Sequence, residues 1–231
     1  MLKKSLLLIL LSFSLFASEK DYKIGETLFN KTCISCHGKD GNGNPMLHLV
    51  VMPRALNKSI LNEKQSYLII KNGSHYWGSL ADIMPSFQSV FNDKELRSIA
   101  YYISKKFNPN VNERVEKLYK NSDTISKIQE KKMLKRGAKI YKRNCRWCHG
   151  LTAKGDGEAT KNPEKSIYPY DLRKTLLTEK QMFLYVKYGG RYWGTYKNDM
   201  PSWSRKYDDF TLKSVIKYVE KEFRAEYKSE L

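Results

Sequence analysis

Two short clusters of sulfur and nitrogen side chains contain all four cysteines of this 231-residue chain. Each cluster has the spacing Cys-x-x-Cys-His, at residues 33–37 and 145–149. Two thiols beside an imidazole could form a dithiol redox pair or half of a zinc site. The same pentad is also the attachment site of c-type haem, where both thiols form thioethers and the histidine binds iron.

Three observations favour haem over the other two chemistries. Histidine directly follows the second cysteine in both pentads, the pentads lie 112 residues apart, and the chain begins with an export signal. In an oxidising compartment free thiol pairs tend to form disulfides, whereas thioether bonds use both thiols of each pair. We therefore expect two covalently bound haem c groups, with six of these residues as attachment points and axial iron ligands: Cys33, Cys36, His37, Cys145, Cys148 and His149.

The export signal occupies residues 1–18. Lys3 and Lys4 form a short basic start, residues 6–16 are an apolar run broken only by two serines, and Ala17-Ser18 are small residues suited to cleavage. The run is shorter than the roughly 20 residues of a membrane-spanning helix. We expect a cleavable signal peptide and a periplasmic protein, with an uncleaved membrane anchor as the alternative.

The chain contains a tandem repeat. Residues 61–107 align without gaps on residues 177–223, and 19 of the 47 positions are identical. Tyr-Trp-Gly and Met-Pro-Ser occur in both copies at this offset of 116, which is four residues larger than the offset of the pentads. The chain is therefore a duplication with one change in loop length.

Each copy predicts the same three helices, which makes the fold class all-α. The apolar spacing of a helix leads into each pentad, over 22–32 and 133–144. Residues with strong N-cap preference precede the second and third helices of each copy. These N-caps are Asn62, Asn92, Thr178 and Asp208.

The helices and the repeat divide the chain after the signal peptide into two domains. We predict a first domain over 19–110, a polar linker over 111–132, and a second domain over 133–231. Domains of this size bury little surface, so each needs an additional apolar centre. A covalent haem would supply it.

Each half resembles a class I cytochrome c domain. The resemblance rests on a Gly-x-x-x-Phe-like helix before Cys-x-x-Cys-His-Gly, a loop with proline and leucine, a glycine loop ending in Met-Pro, and a closing helix. These features span 25–107 and 137–223, which is most of the chain. The resemblance implies a periplasmic di-haem cytochrome with three to five helices around each haem.

The resemblance also implies the sixth iron ligand. In this family a methionine before a proline binds the far side of the iron, and Met84 and Met200 occupy that position in the two copies. Of the other histidines, His48 and His75, neither aligns with a histidine in the second copy, so a histidine-switched ligand would be asymmetric. We expect the ligand pairs His37/Met84 and His149/Met200.

The chain is strongly basic. Its formal net charge is +18. It is +16 without Lys3 and Lys4, and four ionised haem propionates would lower it to about +12. Such a charge steers encounters with negatively charged partners. We expect redox proteins with acidic docking surfaces and an anionic membrane face as partners, and neither nucleic acid nor a small-molecule substrate.

Two six-coordinate irons leave no open position for a substrate. The main hypothesis is therefore an electron carrier of a respiratory chain, between a quinol-oxidising complex or dehydrogenase and a terminal oxidase or reductase. The alternatives are a cytochrome subunit of a periplasmic redox complex and a di-haem peroxidase-like or thiosulfate-oxidising enzyme. The enzymes fit less well, because a peroxidase needs an openable iron and the thiosulfate enzymes use a cysteine ligand that this chain lacks.

Overall fold

The computed structural model describes residues 19–43, 52–79, 84–119, 127–162, 167–195 and 200–224. Within these ranges all regular structure is helical, which confirms the predicted all-α class. The predicted signal peptide and His48 lie outside the described residues. Among the described residues, no helix has both the length and the apolar character needed to cross a bilayer.

The described residues of the first domain form four α-helices. Helix α1 spans 19–28 and continues through a π-type turn at Phe29–Cys33. The remaining helices are α2 (Ile34–His37), α3 (Glu63–Tyr76) and α4 (Asp93–Phe107). Helix α3 is interrupted at Gly73, whose φ of 79° is not helical, so its regular part ends before this residue.

The second domain repeats this order after a short helix, α5 (Val111–Leu118). Helix α6 (Lys127–Ile140) continues through a π-type turn at Tyr141–Cys145. It is followed by α7 (Arg146–His149), α8 (Glu179–Tyr188) and α9 (Asp209–Phe223). The two copies therefore have matching helices, as the repeat predicts.

The predicted helix boundaries differ from the structure at two places. The helices expected over 22–32 and 133–144 begin earlier and each ends in a π-type turn before the pentad. The segment interpreted as a polar linker contains α5, because Val111 and Val115 are four residues apart and both are buried. Two apolar residues among many charges were too weak a pattern to predict this helix.

The N-caps of the second and third helices are confirmed. Asn62 and Asn92 each accept a hydrogen bond from the backbone N–H three residues later, and Thr178 does the same in the second copy. In these three cases the side chain at that later position also accepts from the N-cap backbone, which completes a capping box. Asp208 caps α9 by accepting from the backbone N–H of Thr211.

A glycine allows the first and last helices of each domain to cross closely. A Cβ at Gly25 would collide with the backbone oxygen of Ser98, and a Cβ at Gly137 would collide with that of Ser214. Both serines are buried. The glycine of the Gly-x-x-x-Phe-like motif therefore has a packing role, since only hydrogen fits between the two backbones.

The two domains meet at a buried pair of glutamines. Gln65 Nε2 donates to Gln181 Oε1 at 2.8 Å, and Gln181 Nε2 donates to Gln65 Oε1 at 2.9 Å. Each amide also donates to a carbonyl of the opposite domain, Leu176 O at 2.7 Å and Ile60 O at 2.6 Å respectively. Because these residues are equivalent in the repeat, the bonds are reciprocal.

Backbone hydrogen bonds extend this reciprocal interface. Ala55 N donates to Gly194 O at 3.0 Å, and the equivalent Asp171 N donates to Gly78 O at 2.8 Å. Equivalent residues exchanging equivalent bonds are the property of a two-fold interface. The two halves of one chain therefore pair like the subunits of a symmetric dimer.

Apolar contacts also join the two domains, and they are less symmetric than the hydrogen bonds. Ile60 from the first domain and both valines of α5 belong to the same buried cluster as Phe183 and Trp193 of the second. Arg114 of α5 lies with its guanidinium carbon 5.7 Å from the centroid of the Trp193 ring. Helix α5 is thus part of the interface and packs on the second domain.

We predict that Gln181→Leu destabilises the protein by about 3 kcal/mol, because it removes the donor to the buried Ile60 carbonyl, both hydrogen bonds to the Gln65 amide and part of the α8 cap. Urea unfolding of the haem-loaded protein measures the change. The exposed Gln88→Ala is the control, with an expected change within about 0.5 kcal/mol. Equal losses in the two variants would contradict the role of the glutamine pair.

Candidate functional site

Each pentad presents its donors from the end of a helix. Cys33 is the last residue of the first π-type turn, and Cys36 and His37 lie three and four positions later, at the end of α2. Positions i, i+3 and i+4 lie on the same face of a helix. Cys145, Cys148 and His149 repeat this arrangement on α7. No disulfide links any of the four cysteines.

A backbone carbonyl orients each pentad histidine. His37 Nδ1 lies 3.4 Å from Arg54 O, and His149 Nδ1 lies 3.3 Å from the equivalent Tyr170 O. A carbonyl only accepts hydrogen bonds, so Nδ1 carries the proton and Nε2 is left with its lone pair. This is the arrangement in which the ring of a histidine binds a metal through Nε2.

Burial favours the neutral form of both histidines. Desolvation lowers the pKa of His37 and of His149 from the ordinary histidine value, and the backbone hydrogen bond to Arg54 or Tyr170 opposes this shift. A neutral imidazole is the form that coordinates iron. Both rings are therefore prepared to act as ligands near neutral pH.

The first cysteine of each pentad is buried, fully at Cys33 and partly at Cys145. Burial raises the pKa of Cys33 and of Cys145 to about 12, with a smaller effect from the second cysteine of the same pentad. A dithiol redox pair relies on a lowered pKa that makes one thiol reactive. Within the described ranges no group of three or more His, Cys, Asp and Glu side chains is arranged for a metal ion alone, as a zinc site would require.

The two Met-Pro segments are held in place by equivalent backbone bonds. Ser74 N donates to Met84 O at 2.9 Å, and the equivalent Gly190 N donates to Met200 O at 2.8 Å. Both methionines are half-buried. Met84 packs against the apolar cluster that contains Cys33, so the thioether and the first thiol of the pentad share one apolar environment.

A glycine at the end of the preceding helix makes room for each Met-Pro segment. A Cβ at Gly73 would lie 3.0 Å from Met84 O, and a Cβ at Gly189 would lie 2.9 Å from Met200 O. Both glycines have a φ near 80°, which other residues rarely adopt. Ser86 and Ser202 then donate from their hydroxyls to backbone oxygens of the helix, both at 2.7 Å.

The donor set of each domain fits a haem c group. Two thiols, one neutral imidazole with its Nδ1 already bonded, and one thioether are the groups that attach and ligate such a haem. The apolar residues around them suit a porphyrin face. Those packed with the first cysteine of each pentad include Phe29, Ile99 and Ala100 in the first domain and Tyr141, Val215 and Val219 in the second.

Trp77 and Trp193 occupy equivalent positions of the repeat. Their indole N–H groups donate to Leu68 O and Leu184 O within their own domains. The tryptophans therefore have a packing role. His75, the other candidate ligand in the described residues, is exposed near the end of α3.

Sequence reasoning missed the residues that orient the histidines and join the domains. The Arg54 and Tyr170 carbonyls act through the backbone, which side-chain identity does not reveal. Arg54 and Tyr170 each follow a proline at equivalent positions of the repeat. This shared proline was the sequence signal that could have indicated a common backbone role. Gln65 and Gln181 are equivalent in the repeat. The sequence placed them within helices and gave no sign of a contact between them.

The chain matches a known protein family. The family model described as cytochrome c oxidase, cbb3-type, subunit III matches the chain twice, over 20–103 and 132–219. Among solved structures, a chain of the Kuenenia stuttgartiensis reducing HAO-like protein complex matches with 19% identity and a TM-score of 0.45. That alignment covers 87% of this chain and 96% of the other.

The search of curated proteins gives no match. The two matches to the family model cover most of the chain, and each contains one pentad and one Met-Pro segment. Cytochrome c domains carry covalently bound haem c and transfer electrons. The chain therefore belongs to this cytochrome c family, as two tandem cytochrome c domains.

Proposed function

We propose that the protein is an exported di-haem electron carrier of a respiratory chain. It would accept electrons from a quinol-oxidising complex or a periplasmic dehydrogenase and deliver them to a terminal oxidase or reductase. The observation that supports this most directly is the repeated donor set, with a complete group of thiols, imidazole and thioether in each domain. Haem c supplies one-electron redox chemistry when bound.

Different residues would attach each haem and ligate its iron. Cys33, Cys36, Cys145 and Cys148 attach the two groups covalently. His37 and His149 provide the near-side ligands, kept in one orientation by the carbonyls at residues 54 and 170. Met84 and Met200 provide the far-side ligands, and a neutral thioether there favours ferrous iron and a higher potential than a second histidine would.

This ligand set favours electron transfer over catalysis. With a histidine on one side and a methionine on the other, neither iron would keep a position for a small-molecule substrate. Rigid ligands also limit rearrangement between the oxidised and reduced states. The Met-Pro segments are held by several backbone and serine hydrogen bonds, which supports rigid ligation.

Export to the periplasm is part of the proposal. It rests on the pattern of residues 1–18 and on the pentads, because bacterial haem attachment to such pentads takes place in the periplasm. The same location would bring the protein to donors and acceptors at the membrane. Its positive charge suits an anionic membrane face as well as acidic proteins.

We infer that an acidic redox partner docks beside the pentad of the second domain. Trp147 and Leu151 are exposed there to 62% and 68%, and Arg146 and Lys154 beside them are also exposed. The loop bearing Leu151 and Lys154 is held against α7, since Gly155 N donates to His149 O at 2.9 Å. An apolar centre with a basic rim is typical of a transient docking surface.

The first domain lacks this combination. At the offset of the pentads, Ser35 and Lys39 replace the exposed tryptophan and leucine of the second domain. These two positions of the first domain are therefore polar. Partners of different chemistry could thus distinguish the two domains, so that electrons enter at one haem and leave from the other.

A stable place within a redox enzyme complex is the second candidate. It is favoured by the family model, which is described as a subunit of a cbb3-type oxidase. Affinity purification from native membranes under mild detergent tests this alternative. Recovery of the chain with stoichiometric partners would favour a subunit, whereas recovery of the soluble chain alone would favour a diffusing carrier.

We predict two c-type haems per chain by the pyridine haemochrome assay. Replacing Met84 or Met200 singly with alanine should remove about half of the weak red charge-transfer band of methionine-ligated ferric haem, because each thioether would ligate one iron. Met133→Leu is the control, since this buried methionine is not a proposed ligand. Fewer than two haems would contradict the proposed function, and an unchanged band would contradict the ligand assignment.

We predict that Gly73→Ala lowers the same band by up to half while both haems remain attached. The added methyl would meet Met84 O and the backbone of Pro85 at about 3 Å and would strain the positive φ, so the methionine segment must move. Absorption spectra of the ferric protein measure the loss. Asn72→Ala, one residue earlier on the same helix, should leave the band intact; a loss of equal size there would point to general damage of α3.

We predict that reversing the rim charges by Arg146→Glu with Lys154→Glu slows electron transfer to a gold electrode coated with a carboxylate-terminated monolayer. At low ionic strength we expect about a tenfold decrease, which shrinks as salt screens the charges. The exposed pair Lys105→Glu with Lys106→Glu changes the net charge equally and is the control. Equal slowing by both pairs would reject a specific docking surface.

A further inference from the structure

Arg54 belongs to both domains at once. Its backbone carbonyl accepts the hydrogen bond from His37 Nδ1 in the first domain. Its side chain crosses to the second domain, where Nη1 donates to the hydroxyl of Tyr185 on α8 at 2.7 Å. One residue therefore contacts the iron-binding histidine of one domain and a helix of the other.

Tyr170 is the counterpart of Arg54 in the repeat, and the two side chains touch. The carbonyl of Tyr170 accepts from His149 Nδ1, and its ring centroid lies 4.9 Å from Arg54 Cζ. A guanidinium over a tyrosine ring at this distance is a cation–π contact. The two pentad histidines are thus connected through two residues, in the order His37, Arg54, Tyr170, His149.

This connection breaks the symmetry of the interface. The glutamines and the backbone bonds are reciprocal, but one member of the 54/170 pair carries a positive charge and the other is neutral. Among the described residues, the side-chain partners of the guanidinium are the Tyr185 hydroxyl and the rings of Tyr170 and Tyr185. A charge held between two domains acts strongly on neighbouring groups, because the surroundings screen it weakly.

We propose that Arg54 is a positioning residue that makes the two haem centres unequal, by raising the reduction potential of the centre in the second domain. A nearby positive charge disfavours ferric iron relative to ferrous iron, so reduction becomes easier. The reduction potential rises whether the guanidinium acts on the iron directly or pairs with a haem propionate. This inference rests on the proposed function, since it requires a haem in each domain.

Spectroelectrochemical titration of the haem-loaded full chain tests the proposal. Arg54→Gln should lower the equilibrium constant for reduction of the second centre about tenfold, which is about 59 mV for one electron. The first centre should change less, because the guanidinium lies against second-domain side chains. Arg54→Lys keeps the charge and should restore most of the wild-type potential.

The two centres can be assigned by measuring each variant again in a Met84→His background. A second histidine ligand lowers the potential of the first centre, so the high-potential step then reports the second centre alone. If Arg54→Gln yields no folded protein, Arg54→Met replaces it, because its apolar stem fits between the tyrosine rings. Circular dichroism and the haem count are measured first for every variant.

Two control variants separate the charge of Arg54 from other effects. Arg97→Gln removes the same charge from a guanidinium that also lies over a tyrosine ring but is exposed, so its effect on both potentials should be small. The exposed Gln88→Ala changes a side chain without changing the charge and should also leave the potentials near those of the wild type. A shift in either control as large as that of Arg54→Gln would overturn the proposal.

The outcomes also separate this proposal from the proposed function. A wild-type chain without two haems would contradict the proposed function itself. Two haems with unchanged potentials in Arg54→Gln would leave the carrier function standing and reject the role of Arg54. A shift confined to the first centre would likewise reject it, because the charge would then act on the wrong domain.

Discussion

The structure depends on one repeated hydrogen bond, from the Nδ1 of a pentad histidine to a backbone carbonyl. This bond orients the ring and leaves Nε2 for the iron, at His37 through residue 54 and at His149 through residue 170. The next residue in each segment, Ala55 or Asp171, donates its own N–H across to the other domain. The backbone that orients each pentad histidine is therefore also the backbone that pairs the domains.

The hydrogen bonds of the domain interface are reciprocal, whereas other contacts and the outer surfaces differ between the two domains. A duplicated sequence can pair with itself about a two-fold axis, and the buried glutamines satisfy each other's amides and two carbonyls without a charge. The differences lie where function would need them. Arg54 and Tyr170 make the centre of the interface unequal, and Trp147 makes the outer surface of the second domain unlike that of the first, where Ser35 stands. Residues that are identical in the two copies would maintain the fold. Those that differ between the copies would make electron transfer run from one haem to the other.

Local signals in the sequence predicted much of the fold. Helix starts were read from N-caps because a capping side chain bonds within three residues, and the capping boxes are present. The π-type turns and α5 were missed, since the first depend on how each domain packs and the second on a cluster formed with Phe183 of the other domain. The indole partners of Trp77 and Trp193 were also beyond sequence reasoning, because a side-chain donor can reach several acceptors and only packing selects one.

The sequence by itself determined the family and the haem c chemistry that the family implies, because attachment needs only a five-residue spacing and the repeat carries that spacing twice. It also determined the helical class through caps and apolar periodicity. Only the tertiary structure decided how the two sites are related. Gln65 and Gln181, or Arg54 and Tyr170, are separated by 116 residues and come together through the pairing of the domains. Contacts of that kind depend on the relative placement of two folded bodies, which no local pattern of residues encodes.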